Sequence, residues 1–458
     1  MSFIESLTSR IKSVQSKLEH YIDGRPTIQM MVEEILKIEG EKTKSPTIEM
    51  DGDYEINSDG RLALKNPICP IHGNQYITKN GWTKNTLEII TGDKFKIVRQ
   101  MHICNKCGTI LMPSLECLKI PYGRITKDGQ RFLLELTIED GISLRKAKRR
   151  LKNTFGFEIS VDRLWYLIQS TGKKCNEKTN EIVVNFSGIV CYDEDIIRKT
   201  DKNAAKMTLL DAVNTYAIKE EVRENKQSDT IKDFMVEGLK NKPVQVIVTD
   251  FDPKYSDIIE NNFQGVLHQY CVGHFNDIID DDLRKAAGLK YKKKKELPED
   301  YKKLKGEIYS IFSSKNRSIA EKKLYRLFQD RFGKDKAVDE LLLKTKSNFY
   351  NLTHFMEDRR IPKTNNILES RYSTTESNYN NNRRFKTVDG ANNYCNCQTI
   401  FRNFHIIEEG TYVNSSPYSR AGMDHGNDDW LNIMGFGDKI FNFIKAFENG
   451  VLSKLGIA

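Results

Sequence analysis

Two short stretches, CPIH from Cys69 to His72 and CNKC from Cys104 to Cys107, restrict what this chain can fold into more than any other feature. Each places two metal-ligating side chains around two intervening residues, a spacing that needs a tight knuckle turn to aim both inward. The alternating stretches between them, LEII and FKIVRQMHI, suit strands, so the two pairs can meet at one tetrahedral Zn²⁺. Four protein ligands leave no open position for water, which makes the expected ion structural. His102 and Cys117 compete for the fourth place. Nine cysteines in all, an odd number, argue for reduced thiols over a disulfide framework. The first residues, MSFIESLTSR, lack the basic-then-apolar order of a secretory signal, and no apolar run reaches membrane length. A soluble, cytoplasmic, nucleoid-associated protein with no membrane partner is expected.

A length of 458 residues exceeds one ordinary core, so several modules are expected, and a net charge of +9 suits a polyanionic partner. In residues 1–40, Ile4, Leu7, Ile11, Val14, Leu18 and Tyr21 follow a heptad seam, broken by DGRP before a second periodic stretch. A coiled-coil dimer and a helical hairpin fit this pattern equally. Residues 41–66 are polar without a sustained period and read as a linker. Residues 67–115 read as a zinc ribbon. Three short helices follow in residues 120–175, with Ser143 and Ser160 as caps and Gly156 and Gly172 as stops, which predicts a helix-turn-helix domain. Its middle helix carries Arg145, Lys146, Lys148, Arg149, Arg150 and Lys152, enough to engage several DNA phosphates. A plain solvated basic face would look the same.

From residue 181 the pattern changes to three strands, a helix over 228–240 and a fourth strand, the opening of an RNase H-like mixed α/β sheet. Asp193 sits in its first strand and Asp250 closes its fourth. An ionised carboxylate in an apolar strand is expensive to desolvate unless a cation compensates it. In TNNILES, Glu369 begins a helix, where Asn366-x-x-Glu369 also satisfies a capping box. Two aspartates and one glutamate would give the all-oxygen set that Mg²⁺ favours, with two ions clamping a phosphodiester. The lysine-rich, helix-periodic residues 281–350 read as an all-α insertion between the catalytic parts 181–280 and 351–410. Residues 411–458 read as a tail packed on that domain.

YDED at Asp193, VTDFDPKY at Asp250, HQYCVGH at Cys271 and His274, and TNNILES at Glu369 together resemble the DDE transposases of prokaryotic insertion sequences, in a layout close to the mutator-like group. The resemblance spans residues 67–406. It implies an RNase H-like core, catalysis by two Mg²⁺ or Mn²⁺ ions on Asp193, Asp250 and Glu369, double-stranded DNA ending in terminal inverted repeats, and a 3′-hydroxyl as nucleophile in joining to target DNA. Assembly on two ends implies a homodimer or larger. Cys271 and His274 match a C-x-x-H element, expected here to serve in packing and hydrogen bonding; a zinc site shared with His268 is the alternative. Asp195 is an alternative ligand if the strand register shifts by two, and Asp252 reads as a helix cap. Arg371, Arg383 and Arg384 follow Glu369 and are expected to hold DNA phosphates. A non-catalytic zinc-ribbon regulator, or a nuclease that does not rejoin DNA, would use the same parts.

Overall fold

A computed structural model describes residues 47–50, 54–88, 94–115, 125–289, 296–373, 384–424, 426 and 428–436. The heptads of residues 1–40, the lysine run 292–295, Cys117 and Arg383 lie outside the described residues. Two compact units divide between Gly129 and Gln130.

The first unit is a six-stranded sheet. Strands β1 (Thr47–Met50), β2 (Tyr54–Ile56), β3 (Leu62–Leu64), β4 (Ile77–Glu88), β5 (Lys94–Cys104) and β6 (Ile110–Pro113) take the order β1-β6-β5-β3-β2, with β4 paired to β5. The long β4/β5 hairpin shifts register between Lys79 and Trp82, where Gly81 supplies the positive φ that the irregularity requires. Strands β1 to β3 correct the expectation of a linker over residues 41–66. They have only three or four residues each, too few to display a period of two in a polar background.

Helix α1 (Lys127–Leu134) leads into the second unit and continues as a π-helical turn, Glu135–Glu139. Helix α2 (Leu144–Phe155) starts after Ser143 and stops at a left-handed Gly156, as its sequence predicts. Helix α3 (Val161–Glu181) is capped by Ser160 but does not stop at Gly172. A Cβ there would lie 2.0 Å from the Asn393 carbonyl oxygen, so this glycine permits a close helix crossing inside α3. The predicted helix-turn-helix therefore does not stand apart, because its third helix is packed into the same unit as the sheet that follows.

That sheet comprises β7 (Ile189–Ile197), β8 (Ala204–Asp211), β9 (Ala217–Arg223), β10 (Val246–Thr249) and β11 (Leu267–Tyr270), in the order β11-β10-β7-β8-β9. Strands β7, β8 and β9 form an antiparallel meander, while β10 and β11 run parallel to β7 on its other side. This is the RNase H-like arrangement. Helices α4 (Ser228–Leu239) and α5 (Pro253–Asn262) cover one face, where Val190, Tyr192, Met207 and Ile247 meet Phe234, Met235, Tyr255 and Ile259. Side chains two apart in a strand share a face, so the opposite face carries Ile189, Cys191, Val246 and Val248.

Helices α6 (Val272–Ala286), α7 (Glu299–Phe312), α8 (Arg317–Arg331) and α9 (Lys336–Ser347) form the all-α insertion around Phe275, Ile308, Phe312 and Leu342. Its core begins with α6, a few residues earlier than the sequence suggested. The chain returns to the uncovered sheet face as α10 (residues 366–373), then α11 (Val388–Phe404). Two short helices, α12 (Pro417–Arg420) and α13 (Trp430–Ile433), close the described tail, which packs back through Trp430 Nε1 donating to the Glu139 carboxylate at 2.6 Å.

Candidate active site

The parallel pairing of β7 and β10 aligns Val248 with Cys191. Two residues further along lie Asp193, still within β7, and Asp250, one residue past the end of β10, each two positions beyond a residue of the same sheet face. Burial, reinforced by the neighbouring Asp250 carboxylate, pushes Asp193 up to about 8, so at neutral pH Asp193 keeps its proton. Asp193 accepts the Glu194 backbone N–H at 2.7 Å, and Asp250 Oδ1 is buried without an aligned hydrogen-bond donor among the described residues. Two adjacent carboxylates, one of them protonated in the absence of metal, fit a hard divalent cation that would displace the proton.

Beside them, Cys271 ends the loop after β11 and His274 stands in the first turn of α6. His274 Nδ1 lies 2.9 Å from Asp250 Oδ1, out of line for a hydrogen bond. The Asp250 carboxylate, followed by the Cys271 sulfur, raises His274 to about 11. Cys271 is fully buried; its Sγ accepts the Asn365 N–H at 3.3 Å and its own N–H donates to Thr249 O at 2.8 Å. Asp250, Cys271 and His274 bring their ligand atoms within 4.8 Å of one another. His268 stays outside this trio, contacting Thr249 Oγ1 at 2.8 Å, and burial lowers it to about 4.

Helix α10 lies on the face that carries the two aspartates. Leu368 and Tyr372 enter its apolar cluster, and Tyr372 Oη donates to Asp193 O at 2.9 Å. Asn365, fully buried, donates from Nδ2 to Tyr192 O at 3.0 Å. The residue preceding the helix is thus Asn365, with Asn366 already inside the first turn, and the Asn366–Glu369 capping box does not form. Glu369 is exposed. Arg371 reaches Glu220 on β9, with Nε and Nη2 at 3.1 and 2.7 Å from its carboxylate oxygens. At 100° per residue, Glu369 and Arg371 diverge by about 160°, with Leu368 and Tyr372 between them facing the sheet. Glu369 therefore occupies the flank of α10 opposite Arg371, turned away from β9, and neither its carboxylate nor that of Asp193 joins the ligand atoms that meet at Asp250, Cys271 and His274.

That pairing corrects one expectation: the Arg371 side chain is 8% exposed and committed to Glu220, so it does not present itself to a phosphate. Arg384 is exposed. Arg145, Lys146, Lys148, Arg149, Arg150 and Lys152 are all exposed on α2, whose buried side is Ala147 and Leu151; Lys152 also pairs with Glu158 at 2.7 Å. Asp195 shares the face of Asp193 and accepts the Ile196 N–H, while Asp252 caps α5 through the Lys254 N–H. Asn365, Tyr372, Glu220 and Lys206 escaped sequence reasoning. Only Asn365 left a signal, the first asparagine of TNN, which reads as a helix start.

In the first unit, Cys69, His72, Cys104 and Cys107 converge. Cys69 Sγ lies 3.6 Å from Cys107 Sγ and 3.9 Å from His72 Nδ1, and Cys104 Sγ lies 3.6 Å from His72 Nδ1. Zn–S and Zn–N bonds of about 2.3 and 2.0 Å give tetrahedral edges of about 3.5–3.8 Å, so the tetrad fits such an ion. Burial opposes the Cys104 thiolate, but the N–H groups of Cys107 and Lys106 outweigh it and lower the thiol to about 6. His102 is not part of this cluster.

No protein-family model matches the chain. Over 388 residues, covering 81% of this chain and 90% of the other, it is 24% identical to the insertion element ISM1 uncharacterized 48.3 kDa protein of Methanobrevibacter smithii. Among solved structures, the Drosophila P element transposase strand transfer complex aligns with 62% of this chain and 93% of its own at 11% identity and a TM-score of 0.37. The HTLV-2 integrase catalytic core domain, in complex with magnesium, aligns with 23% of this chain and 72% of its own at 14% identity and a TM-score of 0.17. The chain is thus similar over most of both lengths to a protein of an insertion element, and its own central sheet has the RNase H-like strand order that the resemblance to insertion-sequence transposases implied.

Proposed function

We propose that this protein is a DDE transposase that cuts DNA at the terminal inverted repeats of its element and joins the ends to target DNA. The observation that carries this reading is the placement of Asp193 on β7 and Asp250 just past the end of the adjacent parallel β10, close enough that the Asp250 carboxylate helps raise Asp193, with His274 Nδ1 2.9 Å from Asp250 Oδ1. Asp193, Asp250 and Glu369 would hold two Mg²⁺ or Mn²⁺ ions, which when bound polarise the scissile phosphate and activate first water and then a 3′-hydroxyl. The protein's own part is placement. Strand pairing fixes the two aspartates, His274 steadies Asp250, and α10 carries Glu369 over the same face. The exposed basic side of α2 supplies phosphate contacts, joined by Arg384, and the cysteine–histidine tetrad would hold a structural Zn²⁺. Two copies assembled on two element ends complete the scheme.

Incubating the protein with labelled end DNA and Mn²⁺ tests this. Wild type should cut and yield joined products, whereas Asp193→Ala should bind the DNA as tightly and cut at least about 1,000-fold more slowly, an oxyanion-scale loss. Binding without cutting by wild type would mark a regulator, and cutting without joined products a nuclease.

A further inference from the structure

Three charged side chains are buried together beneath α10. Lys206 of β8 is fully buried with its Nζ 2.9 Å from Glu220 Oε1, and the Glu220 side chain is 1% exposed. Arg371 completes the group as a two-pronged fork on the same carboxylate. Thr208 Oγ1 donates to Glu220 at 3.2 Å and Thr399 Oγ1 of α11 at 2.6 Å, while Arg402 Nη1 donates to the Arg371 carbonyl at 2.6 Å. Burial disfavours the Glu220 charge, but Arg371 and Lys206 outweigh it and hold the carboxyl well below its ordinary range.

The group belongs to a continuous row. Asp193 pairs with Thr208 across β7 and β8, and Thr208 with Glu220 across β8 and β9, so the row runs from the candidate metal ligands to the fork. Apolar side chains of the same volume would fasten a helix to a sheet as well or better, because desolvating three charges costs what their attraction returns. What the fork adds is direction: two parallel N–H···O bonds fix rotation and register, which Leu368 and Tyr372 packing alone leaves soft. The angle so fixed is the one that turns Glu369 away from β9.

We propose that Lys206, Glu220 and Arg371 are positioning residues, a rotational lock that sets Glu369 relative to Asp193 and Asp250 without touching metal or DNA. This rests on the transposase reading above.

The test compares wild type, Glu369→Ala, Glu220→Gln, the apolar triple variant Lys206→Met/Glu220→Leu/Arg371→Met, and each lock variant combined with Glu369→Ala. The triple variant should melt within a few degrees of wild type and bind end DNA equally, yet cut about 100-fold more slowly at saturating DNA, the loss expected for a group misplaced by about 1 Å. Its Mn²⁺ concentration for half-maximal rate should rise, and adding Glu369→Ala should cost no more than Glu369→Ala alone. Glu220→Gln, which keeps the side-chain shape but leaves Lys206 and Arg371 unpaired and so should melt well below wild type, carries the same expectations for DNA binding, cutting rate and Mn²⁺ should the triple variant not fold. A folded lock variant that cuts like wild type, or losses that multiply with Glu369→Ala, overturns the lock while leaving the transposase reading intact. A wild type that neither cuts DNA nor binds Mn²⁺, or an active Glu369→Ala, overturns the reading and the lock with it.

Discussion

Asp193 holds a proton in the folded protein that the unfolded chain has already released. An ordinary aspartate titrates near about 3.9, whereas this one is pushed up to about 8 by burial and Asp250. Between those values the folded state binds more protons than the unfolded, so metal-free stability falls as pH rises, by up to about 1.4 kcal/mol per unit. Asp193→Asn removes that titration. Thermal melting without Mg²⁺ or Mn²⁺ should show the variant gaining on wild type steadily from pH 5 to pH 8, and saturating Mn²⁺ should restore the wild type. A margin independent of pH would mean that Asp193 does not hold a proton in the folded protein. Both aspartates were legible in sequence because a carboxylate inside an apolar strand contradicts its surroundings. Arg371 was not, because its partner, Glu220, is remote in sequence and buried on another strand. An arginine beside a candidate catalytic acid reads as a phosphate ligand until the charge opposite it is known.

Among the elements, the helices and strands of the RNase H-like sheet could be read from periodicity, but where they end depends on what they meet. Gly172 looked like a stop because glycine is the commonest helix terminator; it sits instead where α3 crosses the backbone of α11 at Asn393. Gly306, inside α7, faces open space with nothing within 4 Å of an added Cβ. The two glycines give opposite expectations. Gly172→Ala should destabilise by about 1–3 kcal/mol or more, since a carbonyl in a packed helix cannot swing aside. Gly306→Ala should stabilise by about 0.4–1 kcal/mol by restricting the unfolded chain. Denaturant titration of both variants decides; equal effects would show that the crossing is looser than the contact implies. Strands β1 to β3 were hidden for a different reason. Strands β2 and β3 pair as a hairpin of only three residues a side, and the other partners, β6 for β1 and β5 for β3, are remote in sequence, so no local pattern records them.

For the whole molecule, the two units have cores of unequal strength. The second joins two sheet faces and an all-α insertion through clusters of large buried side chains. Among the described residues, the first rests on two small groups, Leu62, Leu87, Ile97 and Leu115 in one and Cys69, Cys104 and Leu111 in the other. A core that small seldom holds a fold without a staple, and here the staple would be the ion joining the turn before β4 to the β5–β6 turn. Structural Zn²⁺ binding is worth about 10–16 kcal/mol in small domains, far more than this core supplies. Chelation, or Cys104→Ser, should therefore abolish hydrogen-exchange protection in β3 to β6 while β7 to β11 keep theirs. Protection retained in both units without metal would mean that the tetrad is an ornament on a self-sufficient sheet. Simultaneous loss in both would mean that the division at residues 129 and 130 does not mark independent folding. The predicted split, with one unit melting and the other intact, follows because hydrophobic burial is plentiful in one unit and replaced by coordination in the other.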